Sequence, residues 1–297
     1  MATHRRDGML SLLVAAGLVL AAAGCGRSGP APASSITRAS STAASADRPA
    51  AASPSPSLLL RGAQPPVADQ QRRSDPLAGL VITIDPGHDG GNLTHTSIIR
   101  RLVNAGNGVR KACNTTGTET NAGYPEHAFT WDVALRLAAQ LRARGATVVL
   151  TRASDTGVGP CVNVRAAIAN HARSDVLISI HADGNTSHTA HGFHVIRSTS
   201  MAGGAAVTAR SARLALAIRA AYHAETRMAY STYIGGGTAL SPRRDIGTLN
   251  LARMPAVMLE AGNMRQAGDA AMLRSASFRQ RTAKALADGV QAFLLGA

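Results

Sequence analysis

The sequence predicts an α/β fold: a single domain with a mainly parallel, twisted sheet flanked by helices on both faces. Three observations carry this. Apolar, β-branched runs recur at Val81-Ile82-Thr83-Ile84, Asp175-Val176-Leu177-Ile178-Ser179-Ile180 and Pro255-Ala256-Val257-Met258-Leu259. This is the pattern of strands buried on both faces. Helical segments separate them, giving a β-α-β-α-β order. Each run also ends on a His or Glu beside small residues: His88 after Asp85-Pro86-Gly87, His181 before Ala182-Asp183-Gly184, and Glu260 before Ala261-Gly262-Asn263. In open α/β sheets ligands bind beyond the carboxyl ends of the strands, so these three residues are candidates for one site.

The chain has 297 residues, 45% of them hydrophobic, which is enough for one sizeable core with residues left over. The formal net charge is +14, with arginines spread throughout. That implies a solvated basic surface or an anionic partner such as a cell-wall polymer or a membrane surface. Nucleic acid is not expected, because neither aromatic interleaving nor a nucleic-acid motif accompanies the charge.

Met1 to Arg6 is a short basic start, and Met9 to Ala23 is an uncharged, largely apolar run. It is shorter than the about 20 residues a transmembrane helix needs and reads as an export signal over residues 1–24. Ala22-Ala23-Gly24 before Cys25 also resembles a bacterial lipobox, with Ala22 where leucine is commoner. Lipidation of Cys25, and through it membrane attachment, is one expectation and soluble export the other. Residues 25–74 are rich in Ala, Ser and Pro and read as a disordered tether. The folded domain is placed at 75–297. Export puts it in the cell envelope or periplasmic space. There Cys113 and Cys161 form a disulfide by default, or are two unrelated buried thiols.

Within the domain, Leu80 to Asp85 is the first strand. Asp89 to Pro125 is a long basic loop, rich in Gly and Asn, of the kind that covers or lines a site. Glu126 to Arg144 is an amphipathic helix with Phe129, Val133, Leu137 and Leu141 on one face; Pro125 suits its start and Gly145 its end. Ala146 to Thr151 is a strand, Cys161 to Ala172 a helix and Asp175 to Ile180 a strand. Gly192 to Arg197 is a strand nearer an edge, and Gly203 to Thr226 a long helix. Tyr230 to Thr248 is a glycine-rich loop, and Pro255 to Leu259 the last core strand. Ala267 to Ser275 and Phe278 to Leu295 are the closing helices.

Two histidines and a carboxylate on strand ends suggest zinc, since three such ligands leave a fourth position open for catalysis. No HExxH motif is present. Glu126 opens its helix, where compensation of the helix dipole is reason enough for a carboxylate; sequence alone favours that reading over a ligand. Asp85 and Asp183 are either partners that orient the histidine rings or turn-forming residues beside glycine. His188, His191 and His194 crowd one stretch, and with His194 on a strand at most one faces the site; the plain structural reading is preferred. Arg243 and Arg244 either meet substrate carboxylates or form a solvated pair.

Taken together, Asp85 to Gly91 (DPGHDGG), Glu126, Ile178 to Asp183 (ISIHAD) and Pro255 to Asn263 (PAVMLEAGN) resemble the zinc-dependent N-acetylmuramoyl-L-alanine amidases of the amidase-3 family. Thr151-Arg152, Asp155, Arg165 and Asn170 match intermediate landmarks, so the resemblance spans about Leu80 to Leu295. Tyr124 to His127 and the pair Cys113 and Cys161 look most like the compact, disulfide-bonded mycobacterial members. The resemblance implies one zinc ion per chain bound by His88, Glu126 and His181, which overrules the dipole reading of Glu126. It implies Glu260 as catalytic acid/base. Ala261-Gly262 and Asp183 depart from the family pattern without touching these four positions.

The expected activity is hydrolysis of the amide between N-acetylmuramic acid and L-alanine in peptidoglycan, by a monomer. Two alternatives are a non-catalytic peptidoglycan-binding or regulatory module on the same fold, and a zinc peptidase acting on the stem peptide.

Overall fold

Both layers of helices in the computed structural model, which describes residues 75–296, pack on one six-stranded sheet. The readings for residues 1–24, Cys25 and the tether 25–74 lie outside the described residues. Among the described residues, no helix is long and apolar enough to cross a membrane. In chain order the elements are β1 (Val81–Pro86), α1 (Thr96–Ile99), β2 (Leu102–Asn104), β3 (Arg110–Ala112), α2 (Glu126–Arg142) and β4 (Thr147–Leu150). Then come α3 (Val162–His171), β5 (Val176–Asp183), β6 (His194–Ser198), α4 (Ala205–Thr226) and β7 (Leu240–Arg243). The last are α5 (Gly247–Leu251), β8 (Ala256–Asn263), α6 (Ala267–Arg274) and α7 (Ala276–Leu295).

The sheet order is β4-β1-β5-β8-β6-β7. β4, β1, β5 and β8 are mutually parallel, while β6 runs antiparallel to β8 and carries β7 parallel to itself. Alternation sends Ile82, Ile84, Ile178, Ile180, Val257 and Leu259 to one face, where Phe129 and Leu137 of α2, Leu214 and Ile218 of α4 and Phe278 and Leu286 of α7 form the main core. Leu177, Ile196, Ala256 and Met258 point the other way, into a smaller core with Ala169 of α3 and Leu249 of α5. Helices therefore cover both faces, as a mainly parallel sheet requires.

Several elements differ from the sequence expectation. Residues 89–125 are not one long loop: they contain α1 and the antiparallel hairpin β2–β3, whose strands are largely exposed and of which β3 is basic. β5 and β8 run past the apolar residues, so His181 and Glu260 lie inside strands, paired with each other in register. The glycine-rich stretch after α4 contains β7, which forms the sheet edge, with β6 next to it as expected of a strand nearer an edge. The Leu-Ser-Pro-Arg sequence of β7 hides it, since proline is confined to edge strands and strand ends. Cys113 and Cys161 are joined in a disulfide. It ties the end of the hairpin to the residue that caps α3.

Candidate metal and catalytic centre

The Pro86-Gly87-His88 turn leaves β1 with His88 in the left-handed region (φ 58°), which non-glycine residues enter only when their surroundings hold them there. Two buried arginines do so. Arg165 donates to Pro86 O (2.6 Å) and His88 O (2.7 Å). Arg152 donates to Pro86 O (3.1 Å) and Gly87 O (3.4 Å). Arg165, 2% exposed, is paired at 2.7 Å with Asp85, 1% exposed. Gly87 lies against the His181 ring, where a Cβ would collide with it.

This turn brings three ligand groups together. His88, Glu126 and His181 each present one ligand atom, all within 4.8 Å of one another. The rings of His88 and His181 meet edge to face, with centroids 4.8 Å apart. Glu126 opens α2 and is buried. Its Oε2 lies 3.0 Å from His88 Nε2 and its Oε1 2.9 Å from His181 Nδ1. The main-chain N–H groups of Thr118 and Ala182 also donate to this carboxylate. His88 Nδ1 lies 3.0 Å from Thr115 O. A carbonyl only accepts, so Nδ1 carries the hydrogen, and Nε2 must either bind a second proton or share a cation with Glu126. The charges agree. Burial would push Glu126 up, but His88 and His181 beside it hold the carboxyl well below the usual range. Burial would push His88 down, but the Glu126 carboxylate outweighs this and raises it. Two imidazoles and one carboxylate focused on one point fit a zinc ion with one coordination position to spare.

Glu260 stands beside this group, in register with His181 on the next strand. Its Oε2 is sealed from solvent without a hydrogen-bond partner. Burial, then the nearby carboxylates of Glu126 and Asp183, push its pKa well above the usual carboxylate value. An open crevice of about 340 Å³, bordered by Thr115, Thr118, Ile246 and Met258, exposes His88, Glu126, His181 and Glu260 together. A recess of about 170 Å³ opens behind the histidines, between Ala112, Val162, Gly247 and Met258.

The other candidates fall elsewhere. Asp85 accepts from Arg165, Thr151 and Ser179 and touches neither histidine ring; it holds the arginine that holds the turn. Asp183 accepts from Gly184 N and the Tyr233 hydroxyl, again not from a histidine. Arg243 is engaged by Asp245, which also binds Lys111. Arg244 is exposed. His188 is exposed and His191 half-buried, whereas His194 is buried with Nδ1 unpartnered. Sequence reasoning missed the carbonyl of Thr115, since any residue supplies one, and Tyr233, which sits in a glycine-rich stretch with no pattern.

A family model described as Amidase_3, N-acetylmuramoyl-L-alanine amidase, matches residues 82–292. The chain belongs to this family. It is 40% identical over 237 residues to the N-acetylmuramoyl-L-alanine amidase Rv3717 of Mycobacterium tuberculosis, covering 80% of this chain and 95% of that protein. The crystal structure of the N-acetylmuramyl-L-alanine amidase Ami1 from Mycobacterium smegmatis superposes with a TM-score of 0.70 at 42% identity, covering 74% of this chain and 99% of that one. Apo Ami1 from Mycobacterium abscessus gives 0.69 at 41% identity, with 73% of this chain and 100% of that one covered. Membership places the matched fold of this family over β1 to α7.

Proposed function

We propose that the chain is a zinc-dependent amidase that hydrolyses the bond between N-acetylmuramic acid and L-alanine in peptidoglycan. The observation that carries this reading is the convergence of His88, Glu126 and His181 on one point, with Glu260 in register beside them on β8. Identity to Rv3717 and Ami1 supports the choice of substrate. A zinc ion at such a site lowers the pKa of water from 15.7 to about 7 and polarises a carbonyl oxygen.

The chain's own residues supply the rest. Thr115 O fixes the hydrogen of His88 on Nδ1 and leaves Nε2 to face the site. Glu126 neutralises part of the cation's charge. Glu260 accepts the proton of the attacking water and returns it to the leaving nitrogen of L-alanine as the carbonyl carbon–nitrogen bond breaks. The products are a lactyl carboxylate and a stem peptide with a free L-alanine amino terminus. Burial of Glu260 suits this exchange, since a carboxyl raised toward neutrality holds the proton until the amine takes it. We place the enzyme in the cell envelope, with residues 1–24 as export signal, 25–74 as tether and Cys25 as a lipid attachment point.

Mass spectrometry of purified muropeptides treated with zinc-loaded protein and with Glu260→Ala tests this. Free stem peptides beginning with L-alanine from the first and none from the second is the expected result. Cleavage within the stem would identify a peptidase instead. Binding without turnover would identify a wall-binding module. Equal cleavage by both proteins would show that Glu260 is not the base.

A further inference from the structure

His194 belongs to a column of side chains that leads to Glu260. On β6 and β8, Ile196 faces Met258, and one step nearer the crevice His194 faces Glu260. Residues two apart on a strand share a face, and opposed residues on antiparallel strands have Cβ atoms about 4.5–5.5 Å apart. Ile196 and Met258 lie in the smaller core. Alternation therefore calls for an apolar residue at position 194, and the chain places an imidazole there, 2% exposed.

A buried polar group ordinarily finds a partner. Nδ1 of His194 has none, and neither has Oε2 of Glu260; both atoms are sealed from solvent. Two orphaned polar atoms thus sit on residues that face each other across one strand pair. One is a possible N–H donor, the other an acceptor. The ring of Tyr233 packs edge to face on His194, with centroids 6.1 Å apart and planes at 87°. The Tyr233 hydroxyl is anchored on Asp183 at 2.9 Å. His194 is therefore backed by a fixed aromatic ring and stands in register with Glu260 on the facing strand. Burial holds this imidazole down at about 4, so it is neutral at neutral pH and carries one ring hydrogen.

We propose that His194 is a positioning residue for Glu260: Nδ1–H donates to Oε2, directly after a small side-chain rotation or through one water, and leaves the other carboxylate oxygen aimed at the crevice. The inference rests on the reading of Glu260 as acid/base. It gives a core-facing histidine of β6 a task in the reaction without contact with substrate or metal. It also gives Tyr233 one, as the brace of the imidazole.

The test compares His194→Phe with His194→Asn in the zinc-loaded protein. Phenylalanine keeps the ring and the packing but has no donor; asparagine loses packing but keeps an N–H near the Nδ1 position. Positioning predicts that H194F lowers kcat on muropeptides by about 10–100-fold, the usual cost of losing such a supporting hydrogen bond, with KM and bound zinc unchanged. H194N then recovers most of kcat. A packing role predicts the reverse order, Phe above Asn, and that order overturns the proposal. Because H194N is the variant at risk of misfolding, a second measurement uses Glu260→Gln and histidine nitrogen NMR. The His194 Nδ1 resonance is that of a protonated nitrogen in the wild type and shifts in E260Q; an unprotonated Nδ1, or no shift, overturns the proposal. Full muropeptide cleavage by E260Q would instead overturn the reading of Glu260 itself, whereas an inactive E260Q with wild-type kcat in H194F overturns only the role of His194.

Discussion

Asp85→Asn separates the support of the site from its ligands. Asp85 is buried, and its carboxylate accepts from Arg165 (2.7 Å), Thr151 (2.6 Å) and Ser179 (2.7 Å). Asparagine keeps the shape and removes the charge, leaving the Arg165 guanidinium buried without its counterion. Breaking one side of a buried ion pair costs about 3–5 kcal/mol. Arg165 retains the carbonyls of Pro86, His88, Gly159 and Pro160, which argues for the low end, about 3 kcal/mol. In a domain of roughly 150–250 residues each kcal/mol moves the melting midpoint by about 2–4 °C, so the expected fall is about 6–12 °C. The assay is calorimetry of the metal-free proteins at neutral pH, so that metal linkage does not enter. The pH dependence supplies the sign. Burial would raise Asp85, but Arg165 and the hydroxyls of Thr151 and Ser179 hold it below the ordinary 3.8. Its contribution is therefore complete above about 3.8 and is lost as pH falls through the lower folded value. The gap between wild type and variant should close in strong acid. Equal midpoints at neutral pH, or a gap that persists undiminished in strong acid, would refute the assignment of the stability to this charge pair.

Gly87→Ala places a methyl group into the His181 ring; we expect it to displace that histidine and weaken zinc binding by at least about tenfold, read by competition with a chelator of known affinity. Replacing both Cys113 and Cys161 by alanine opens a loop of 48 residues and is expected to cost about 4 kcal/mol, read from urea unfolding with the slope fitted separately for each protein, since the uncrosslinked chain exposes more surface; a loss below about 1 kcal/mol would mean that the bond contributes little to stability.

The strands β1, β5 and β8 were legible because both their faces are buried, which forces unbroken apolar runs. Their carboxyl ends were not. Beyond Ile180 and Leu259 the side chains turn polar or small while main-chain pairing continues through His181–Glu260 and Asp183–Asn263, and pairing leaves no mark on residue type. The direction of β6 was equally hidden, since a strand of given composition pairs either way. Of the candidate site, His88, His181 and Glu260 stood out by following apolar runs. Glu126 did not, because a carboxylate that opens a helix is common for an unrelated reason. Arg165 and Arg152 were landmarks of the resemblance only. Their work is done on the carbonyls of Pro86, Gly87 and His88, and contacts to main-chain oxygen cannot be read from the partner's identity.

The reversal of β6 has a consequence for the chemistry. A sheet parallel throughout would bring the carboxyl end of every strand to the crevice. Because β6 runs against β8, it brings its amino end instead, and His194 arrives opposite Glu260 by register rather than at the tip of a loop. Two of the three candidate metal ligands arise differently: His88 lies on a strained turn braced by two arginines, and Glu126 at the first residue of a helix. The carboxylate expected to move protons thus sits on a rigid strand above an apolar column, where its surroundings change little during the reaction. Groups that must hold geometry to a fraction of an ångström are better placed on strands than on loops.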